Sequence, residues 1–191
     1  MVARSSRRYT LEDYLDVEES SSVRHEYLDG DIFAMAGGTP EHAALSAAVV
    51  TLLGGKLRGG PCRPYSADLR LRVQSSGLAT YADAAVICGE PERDPKSPTH
   101  VTNPSVIVEV LSPSTEDYDR GEKREHYQQI ESLREYVLVT QARHQVEVFQ
   151  RTATGSWEAR TYGPAAPAEI PSLGLSLSVD ELYDLAGIKV P

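Results

Sequence analysis

Two apolar segments, each interrupted by a single carboxylate, constrain this fold more than any other feature of the sequence. They are TYADAAVIC, which contains Asp83, and PSVIVEVLS, which contains Glu109. Both runs are apolar on both faces, which is typical of central strands covered on each side. An ionised carboxylate buried there is costly unless it is paired, protonated or bound to a cation. The sequence therefore predicts a buried sheet with a polar centre.

Strand periodicity predicts the side to which each carboxylate points. Asp83 shares a strand face with Ile87, and Glu109 shares one with Ile107. If the two strands are neighbours, the carboxylates converge, and two such oxygen ligands completed by water suit Mg²⁺ or Mn²⁺. One carboxylate alone would be explained by an arginine or backbone donors in a structural network, so the metal hypothesis depends on the pair.

A lysine is predicted to join the carboxylates. In EDYDRGEKREHYQQI, Lys123, Tyr127 and Ile130 fall on one helical stripe that we expect to face the sheet. Lys123 then acts as a buried counter-ion, or it holds or deprotonates an attacking water and stabilises charge that develops on a phosphate. The spacing alone does not separate these roles.

The remaining pattern predicts an α+β fold with one mixed central sheet flanked by helices. Thr10 with Asp13 predicts a helix with a capping box, the Asp29-Gly30 pair predicts a hairpin, and Thr39 predicts the N-cap of the longest helix. We expect a flexible basic segment at residues 1–8, a single domain at residues 9–187 and a short tail at residues 188–191.

The second half of the chain is predicted to complete the sheet. PYSADLRLRV alternates as one half-buried strand, and a helix is expected from Ser114 or Thr115 to about Ile130. REYVLV, HQVEVFQ and SWEART then form a meander. A last short helix is predicted to begin with a capping box of Ser178 and Glu181.

The charge distribution limits the role of nucleic acid. The chain has 19 Lys and Arg and 28 Asp and Glu, a net charge of −9, which excludes a protein that coats nucleic acid through general electrostatics. Residues 56–73 are instead basic, with Asp68 against Lys56, Arg58, Arg63, Arg70 and Arg72. We expect Arg70 and Arg72 to meet phosphates, although a solvated strand face explains them equally well.

The two cysteines and the N-terminus bear on the compartment. Cys62 and Cys88 have no CxxC spacing and no histidine at zinc-ligand distance, so we expect two small buried apolar residues rather than a disulfide or a zinc site. No apolar run reaches the length of a membrane span, and Arg4, Arg7 and Arg8 precede no signal core. A soluble cytoplasmic protein that binds no membrane is expected.

One long run resembles a known family. NPSVIVEVLSPSTEDYDRGEKREHYQQI, followed by LREYVLV, is similar to the Uma-two family of bacterial restriction-endonuclease-like proteins, within the PD-(D/E)XK nuclease superfamily. RHEYLDGDIFAMAGGTPEHAALS, SADLRLRV and YADAAVI precede it in that family's order, so the resemblance covers nearly all of residues 9–186. It implies a restriction-endonuclease-like fold.

The resemblance also implies roles for the three residues of the predicted polar centre. Asp83 and Glu109 match the two acidic motif positions, which hold Mg²⁺ or Mn²⁺. Lys123 replaces the motif lysine, because the position two residues after Glu109 is Leu111. The lysine therefore lies on the next helix.

Further positions follow from the same resemblance. It points to Glu26, His42 and Asp68 as second metal ligands or substrate contacts. From the residues alone, Glu26 is a solvated charge and His42 a surface residue, and Asp68 pairs with Arg70 or Arg72 across a strand face. Ala82 stands where a proline is common in the family, and Thr140 where an aspartate is common.

These patterns predict a metal-dependent endonuclease that hydrolyses DNA phosphodiester bonds at Asp83, Glu109 and Lys123. The alternative is a non-catalytic protein that keeps the nuclease fold for nucleic-acid binding or assembly. Glycoside hydrolysis is disfavoured, because an inward Lys123 has no role in it and Trp157 alone offers little sugar-stacking surface. A homodimer would supply two sites for the two strands of a duplex.

Overall fold

The computed structural model describes residues 8–189, so Arg4, Arg7 and the last two residues of the predicted tail lie outside the described residues. The helices are α1 (Leu11–Ser20), α2 (Pro40–Lys56), α3 (Glu116–Arg120), α4 (Glu122–Tyr127) and α5 (Val179–Leu185). The strands are β1 (His25–Leu28), β2 (Asp31–Ala34), β3 (Cys62–Ser66), β4 (Arg70–Val73), β5 (Leu78–Tyr81), β6 (Ala84–Cys88), β7 (Arg93–Asp94), β8 (Ser97–Val101), β9 (Val106–Leu111), β10 (Glu135–Thr140), β11 (Val146–Arg151), β12 (Trp157–Tyr162), β13 (Pro167–Ile170) and β14 (Leu175–Ser178).

Two six-stranded sheets form the body of the protein. The first has the order β2-β1-β5-β4-β8-β7, the second the order β12-β11-β10-β9-β6-β3, and β13 pairs with β14 in a small ribbon. In the second sheet, β9 is parallel to β10 and antiparallel to β6, so this sheet is mixed and β9 is central. The predicted α+β class is confirmed, and the structure adds the second large sheet.

Local sequence signals explain where several elements begin and turn. Thr10 and Asp13 form the predicted capping box of α1, and the Thr39 hydroxyl accepts a hydrogen bond from the backbone of His42 at the start of α2. Asp29 and Gly30 both have positive φ, 51° and 86°, as the tight turn between β1 and β2 requires. These three predictions are confirmed.

Helices cover both faces of the second sheet. On one face, Leu45 and Leu53 of α2 and Leu182 of α5 are fully buried against apolar side chains of β6, β9 and β10. On the other face, Tyr127 of α4 packs with side chains that include Ile107 of β9. Because β9 is covered on both sides, all six of its residues are buried, as the apolar run predicts.

Two predicted strands are each divided between the two sheets. PYSADLRLRV turns after Ser66, where the backbone N–H of Leu69 donates to the Ser66 carbonyl, and then continues as β4 in the other sheet. TYADAAVIC likewise passes from β5 to β6 through a bend at residues 82–83. The prediction that each segment forms a single strand was therefore wrong, and Asp83 lies at a bend rather than in mid-strand. Alternation of apolar residues does not reveal a change of sheet.

The predicted helix over residues 114–130 is also divided. It begins at Glu116 and breaks at Gly121, whose φ of −107° and ψ of −105° are not helical, and α4 ends at Tyr127. Glycine adopts such a backbone at little cost, so the break follows from the residue type. Lys123 nevertheless faces inward, as the helical stripe predicts, and is 4% exposed.

The cysteines differ from expectation. Cys62 and Cys88 stand directly opposite each other on the antiparallel strands β3 and β6, and they form a disulfide. Both are half-buried at the edge of the second sheet. The prediction of two unpaired apolar residues was wrong, because the pairing of β3 with β6 is not visible in the spacing of the cysteines.

A buried histidine predicts acid sensitivity of the fold. His100 on β8 is fully buried, and burial lowers its pKa from 6.5 to about 4, an effect that the charges of Arg70 and Arg72 increase. Between these values the unfolded chain binds a proton that the folded chain does not, so stability falls as pH falls from 6.5 toward 4. Relative to His100→Gln, we expect the wild type to lose about 2 kcal/mol between pH 7 and pH 5.

Urea unfolding of both proteins at pH 7 and pH 5 measures this difference. The variant is the matched control, because every other titrating group is the same in both chains. Equal losses of unfolding free energy in the two proteins would contradict the assignment of the pH effect to His100.

Candidate functional site

The site is built where β6 leaves the bend and runs beside β9. The backbone N–H of Asp83 donates to Glu109 Oε2 at 3.2 Å, and the backbone N–H of Val110 donates to Asp83 Oδ2 at 2.7 Å. The backbone of Asp83 thus holds the Glu109 carboxylate, and the backbone of Val110, next to Glu109, holds the Asp83 carboxylate. The two acids are 26 residues apart in sequence and adjoin each other where β6 meets β9.

Lys123 lies among the carboxylates. Its Nζ is 3.0 Å from Glu109 Oε1, 3.1 Å from Glu26 Oε1 and 3.8 Å from Asp119 Oδ1. It also donates to the backbone carbonyl of Tyr81 at 3.2 Å. We call Glu26, Asp83, Glu109, Asp119 and Lys123 the acid–lysine cluster. It joins β1 of the first sheet to β9 of the second and to α3 and α4.

Hydroxyl groups and a histidine complete the surroundings of the cluster. The Tyr127 hydroxyl donates to Glu109 Oε1 at 3.0 Å, and the Thr80 hydroxyl donates to Glu26 Oε1. His42, in the first turn of α2, places Nε2 3.2 Å from Asp83 Oδ2. These contacts fix the orientations of the three acidic side chains.

Burial and mutual repulsion determine the protonation of the cluster. Burial raises the pKa of Glu109 well above its ordinary value, and the negative charges of Asp119 and Asp83 raise it further despite Lys123. Burial by itself would lower the pKa of Lys123, but the carboxylates around it, Glu109 first, raise it well above its ordinary value. The lysine is therefore a fixed cation, and it lies beside an acid that holds its proton more tightly than an exposed glutamate does.

His42 responds to its carboxylate partner. The hydrogen bond with Asp83 raises the pKa of His42, although burial opposes the shift. Gly38 leaves room for the ring, because a Cβ at that position would lie 2.7 Å from His42 Nδ1. A side chain at position 38 would displace the imidazole from Asp83.

Two cavities give access to the site from different directions. One, of about 480 Å³, is lined by residues that include Glu26, Lys123, Asp119 and Phe33. The other, of about 760 Å³, is lined by residues that include Asp83. Residues 35–38 and His42 line both. The cluster therefore lies between two openings, with the lysine reached from one and Asp83 from the other.

A family model matches most of this chain. Residues 11–180 match the model of the Uma2 family, whose description is "Putative restriction endonuclease". The chain belongs to the Uma2 family. It is 38% identical over 172 residues to uncharacterized protein slr1290 of Synechocystis sp., covering 90% of both chains. Uncharacterized protein sll1609 of the same organism is 32% identical, over 82% of this chain and 89% of its own.

The Uma2 chain also shares its fold with a solved structure. A crystal structure from Anabaena variabilis, described as a "putative nuclease belonging to DUF820", matches with a TM-score of 0.76 and 19% identity. The match covers 93% of this chain and 98% of the other. The likeness thus extends over the whole fold, including both large sheets.

Five of the six predicted catalytic residues come together in this Uma2 fold, and Asp68 does not. Glu26, Asp83, Glu109, Lys123 and His42 lie within the contacts described above. Asp68 lies in the turn after β3, and its exposed side chain pairs with Arg24. Asp68 therefore lies outside the contacts of the acid–lysine cluster, and its predicted role stays a prediction.

The two predicted phosphate contacts each donate to another group of the protein. Arg70 Nε donates to the Tyr81 hydroxyl at 2.8 Å, and Arg72 donates to the Gly77 carbonyl. Arg72 lines a different cavity, beside Asn103 and Arg134. Because the predicted strand is divided between two sheets, Arg63 on β3 does not share a strand face with Arg70 and Arg72 on β4. Residues 56–73 therefore do not form one basic surface.

Asp119 is the member of the cluster that the sequence interpretation missed as a site residue. It is 4% exposed and lies four residues before Lys123. That spacing was the available signal, since residues four apart share a helix face. At position 111, where the simplest motif has lysine, Leu111 fills the apolar core beside Tyr127, and α4 delivers the amine instead.

Proposed function

We propose that this Uma2 protein is a nuclease that hydrolyses phosphodiester bonds of DNA with the help of Mg²⁺ or Mn²⁺. The observation that supports it most is the pairing of Asp83 with Glu109, in which each carboxylate accepts from the backbone at or next to the other acid, with Lys123 against Glu109. Paired carboxylates beside a fixed cation suit phosphoryl chemistry, because negative charge builds up on the phosphate as the water attacks.

Asp83 and Glu109 are the residues that would hold the cation. Across residues 8–189, no three His, Cys, Asp or Glu side chains are arranged as a ready metal site. Two carboxylates with a shell completed by water match the way Mg²⁺ is usually held. The acid–lysine cluster has four acidic side chains and one basic side chain, a composition that favours a divalent cation at this position. When bound, the cation polarises a phosphate oxygen and lowers the pKa of water.

Lys123 and His42 act on the substrate and on the acids. Because Lys123 is held charged by three carboxylates, it donates hydrogen bonds and does not accept a proton from water. It orients the attacking water and offsets charge on the phosphate. His42 keeps the Asp83 carboxylate in place through Nε2, a positioning role of the kind that supports metal ligands.

No membrane role is included in this proposal. Along the described part of the chain, no helix is both long and apolar enough to cross a bilayer. The net charge of −9 also means that binding of DNA depends on the cation at the site. We therefore expect the protein to hold its DNA substrate transiently rather than to coat it stably.

Cleavage assays test the proposed function. The purified chain is incubated with single-stranded and duplex DNA and with RNA, in millimolar Mg²⁺ or Mn²⁺ or in EDTA. We expect cleavage of DNA with the cation and none in EDTA. Asp83→Asn is the control for contaminating nucleases, because it changes one oxygen of the site and leaves the fold intact.

Calorimetric titration with Mn²⁺ separates this proposal from its rival. The wild type is expected to bind the ion at millimolar concentration or below, and Asp83→Asn to bind at least about 10-fold more weakly. Absence of both binding and cleavage would favour a non-catalytic protein in which the acid–lysine cluster is a buried ionic network.

A further inference from the structure

An exposed aromatic residue stands beside the acid–lysine cluster. Phe33 on β2 is 53% exposed, and among residues 8–189 the other large apolar side chains with comparable exposure are Val23 and Leu185. Phe33 is the aromatic one of the three. Its ring therefore presents an apolar, aromatic face to whatever occupies the space beside it.

The strand register fixes the position of Phe33 relative to the site. In the β1–β2 hairpin, Phe33 lies directly opposite Glu26. Directly opposite residues project from the same face of an antiparallel pair, with Cβ atoms about 5 Å apart. Glu26 contacts Lys123 at 3.1 Å. The phenyl ring is therefore next to the lysine that we assign to the phosphate.

Phe33 and Lys123 line the same cavity. Its volume of about 480 Å³ is within the range of sites that enclose one small ligand, and too small for a duplex. Tyr118 adds a second aromatic ring to the lining, and Ser112 and Thr115 add hydroxyls. An aromatic rim, hydrogen-bonding walls and an adjacent cation together match a nucleotide whose base is not paired.

We propose that Phe33 stacks on an unpaired nucleobase next to the scissile phosphate, so that the substrate is single-stranded DNA; this inference rests on the proposed function. A base inside a duplex has both faces covered by its neighbours, so Phe33 can reach only a base outside the stack. Stacking tolerates any base, because every base has a π face. The site then selects single-stranded over duplex DNA, whatever the base sequence.

Binding of single-stranded oligonucleotides tests the stacking. In the Asp83→Asn background, with Mg²⁺ raised to saturate its weaker metal site, Phe33→Ala is expected to weaken binding about 5- to 100-fold, and Phe33→Trp to retain it. Leu185→Ala is the matched control, since Leu185 is 51% exposed on α5 and does not line this cavity. A 2-aminopurine base in the oligonucleotide reports stacking through quenching of its fluorescence.

Abasic oligonucleotides turn this into a double-mutant cycle. The abasic position is moved along the strand. At one position, the missing base should cost the wild type as much affinity as Phe33→Ala does. The two losses should not add, because each removes one partner of the same contact. Duplex DNA should bind more weakly and show no effect of Phe33→Ala.

The outcomes separate the two proposals. Unchanged single-strand binding in Phe33→Ala, or equal effects on duplex and single strand, overturns the stacking role even if the wild type cleaves DNA. A Phe33→Ala protein that changes only its sedimentation, and not its binding, would make Phe33 a contact between copies of this chain and would also overturn the role. Weaker single-strand binding by Phe33→Ala, together with a wild type that cuts no DNA, would support the stacking and reject the nuclease.

Discussion

Replacing Glu109 by glutamine is expected to abolish metal-dependent hydrolysis while leaving the metal-free protein folded, although the backbone N–H of Asp83 loses its acceptor, Glu109 Oε2. Activity should fall by more than about 100-fold, because even residues that merely orient metal ligands cost 10- to 100-fold when changed. Glutamine keeps one oxygen that accepts from Tyr127 and Lys123, so the packing of β9 is retained.

The stability of Glu109→Gln follows from the raised pKa of Glu109. An acid whose pKa is higher in the folded state than in the unfolded state reduces stability as pH rises above its unfolded value. The amide has no such cost, so the variant should lose less stability than the wild type between pH 5 and pH 8. Urea unfolding in EDTA at several pH values measures this difference.

Two results would contradict this account of Glu109. A loss of unfolding free energy above about 2 kcal/mol in metal-free buffer would mean that Glu109 chiefly stabilises the fold as the partner of a buried ion pair. Retention of hydrolysis near the wild-type rate would remove Glu109 from the proposed metal site. Asp83→Asn, measured in parallel, should show the same loss of activity.

Replacing Lys123 by methionine is expected to have the largest effect on stability, a loss of about 3–5 kcal/mol at pH 7. The change leaves the carboxylates of Glu26, Glu109 and Asp119 buried without the ammonium group that contacts all three. Methionine fills similar space, so the loss reports charge rather than volume. It should shrink as pH falls, because the raised pKa values of Glu109 and Asp119 let these two carboxylates take up protons.

Two further proteins make the Lys123 prediction specific. Arg24→Met removes an ion pair between side chains that are 45% and 81% exposed, and it should cost no more than about 1 kcal/mol. Combining Lys123→Met with Glu109→Gln should recover part of the loss, because one uncompensated charge is removed. A loss below about 1 kcal/mol in Lys123→Met would show that the acid–lysine cluster is not charged as described.

The sequence allowed much of the fold and part of the site to be predicted. Helix caps and the tight hairpin turn are local signals, so Thr10, Thr39 and Gly30 were interpreted correctly. The inward direction of Lys123 was also predictable, because its spacing from Tyr127 lies within the short helix α4. The roles of these site residues in catalysis stay predictions.

What the sequence did not predict depends on contacts between distant segments. Nothing local distinguishes a strand that continues from one that changes sheet, so the bend at Asp83 and the separation of Arg70 from Arg63 were missed. The pairing of Cys62 with Cys88 likewise depends on the register of β3 against β6. The position of Phe33 becomes meaningful only when the hairpin register sets it opposite Glu26.

The bend at residues 82–83, where the chain leaves one large sheet for the other, has a consequence for assembly. Lys123 contacts Glu26 from the first sheet and Glu109 from the second, and it donates to Tyr81 at the end of β5, 42 residues away. Neither sheet alone contains the complete cluster. A chain that has formed only one of its sheets carries some of the acids but no site, so the chemistry proposed here would begin only with the last step of folding.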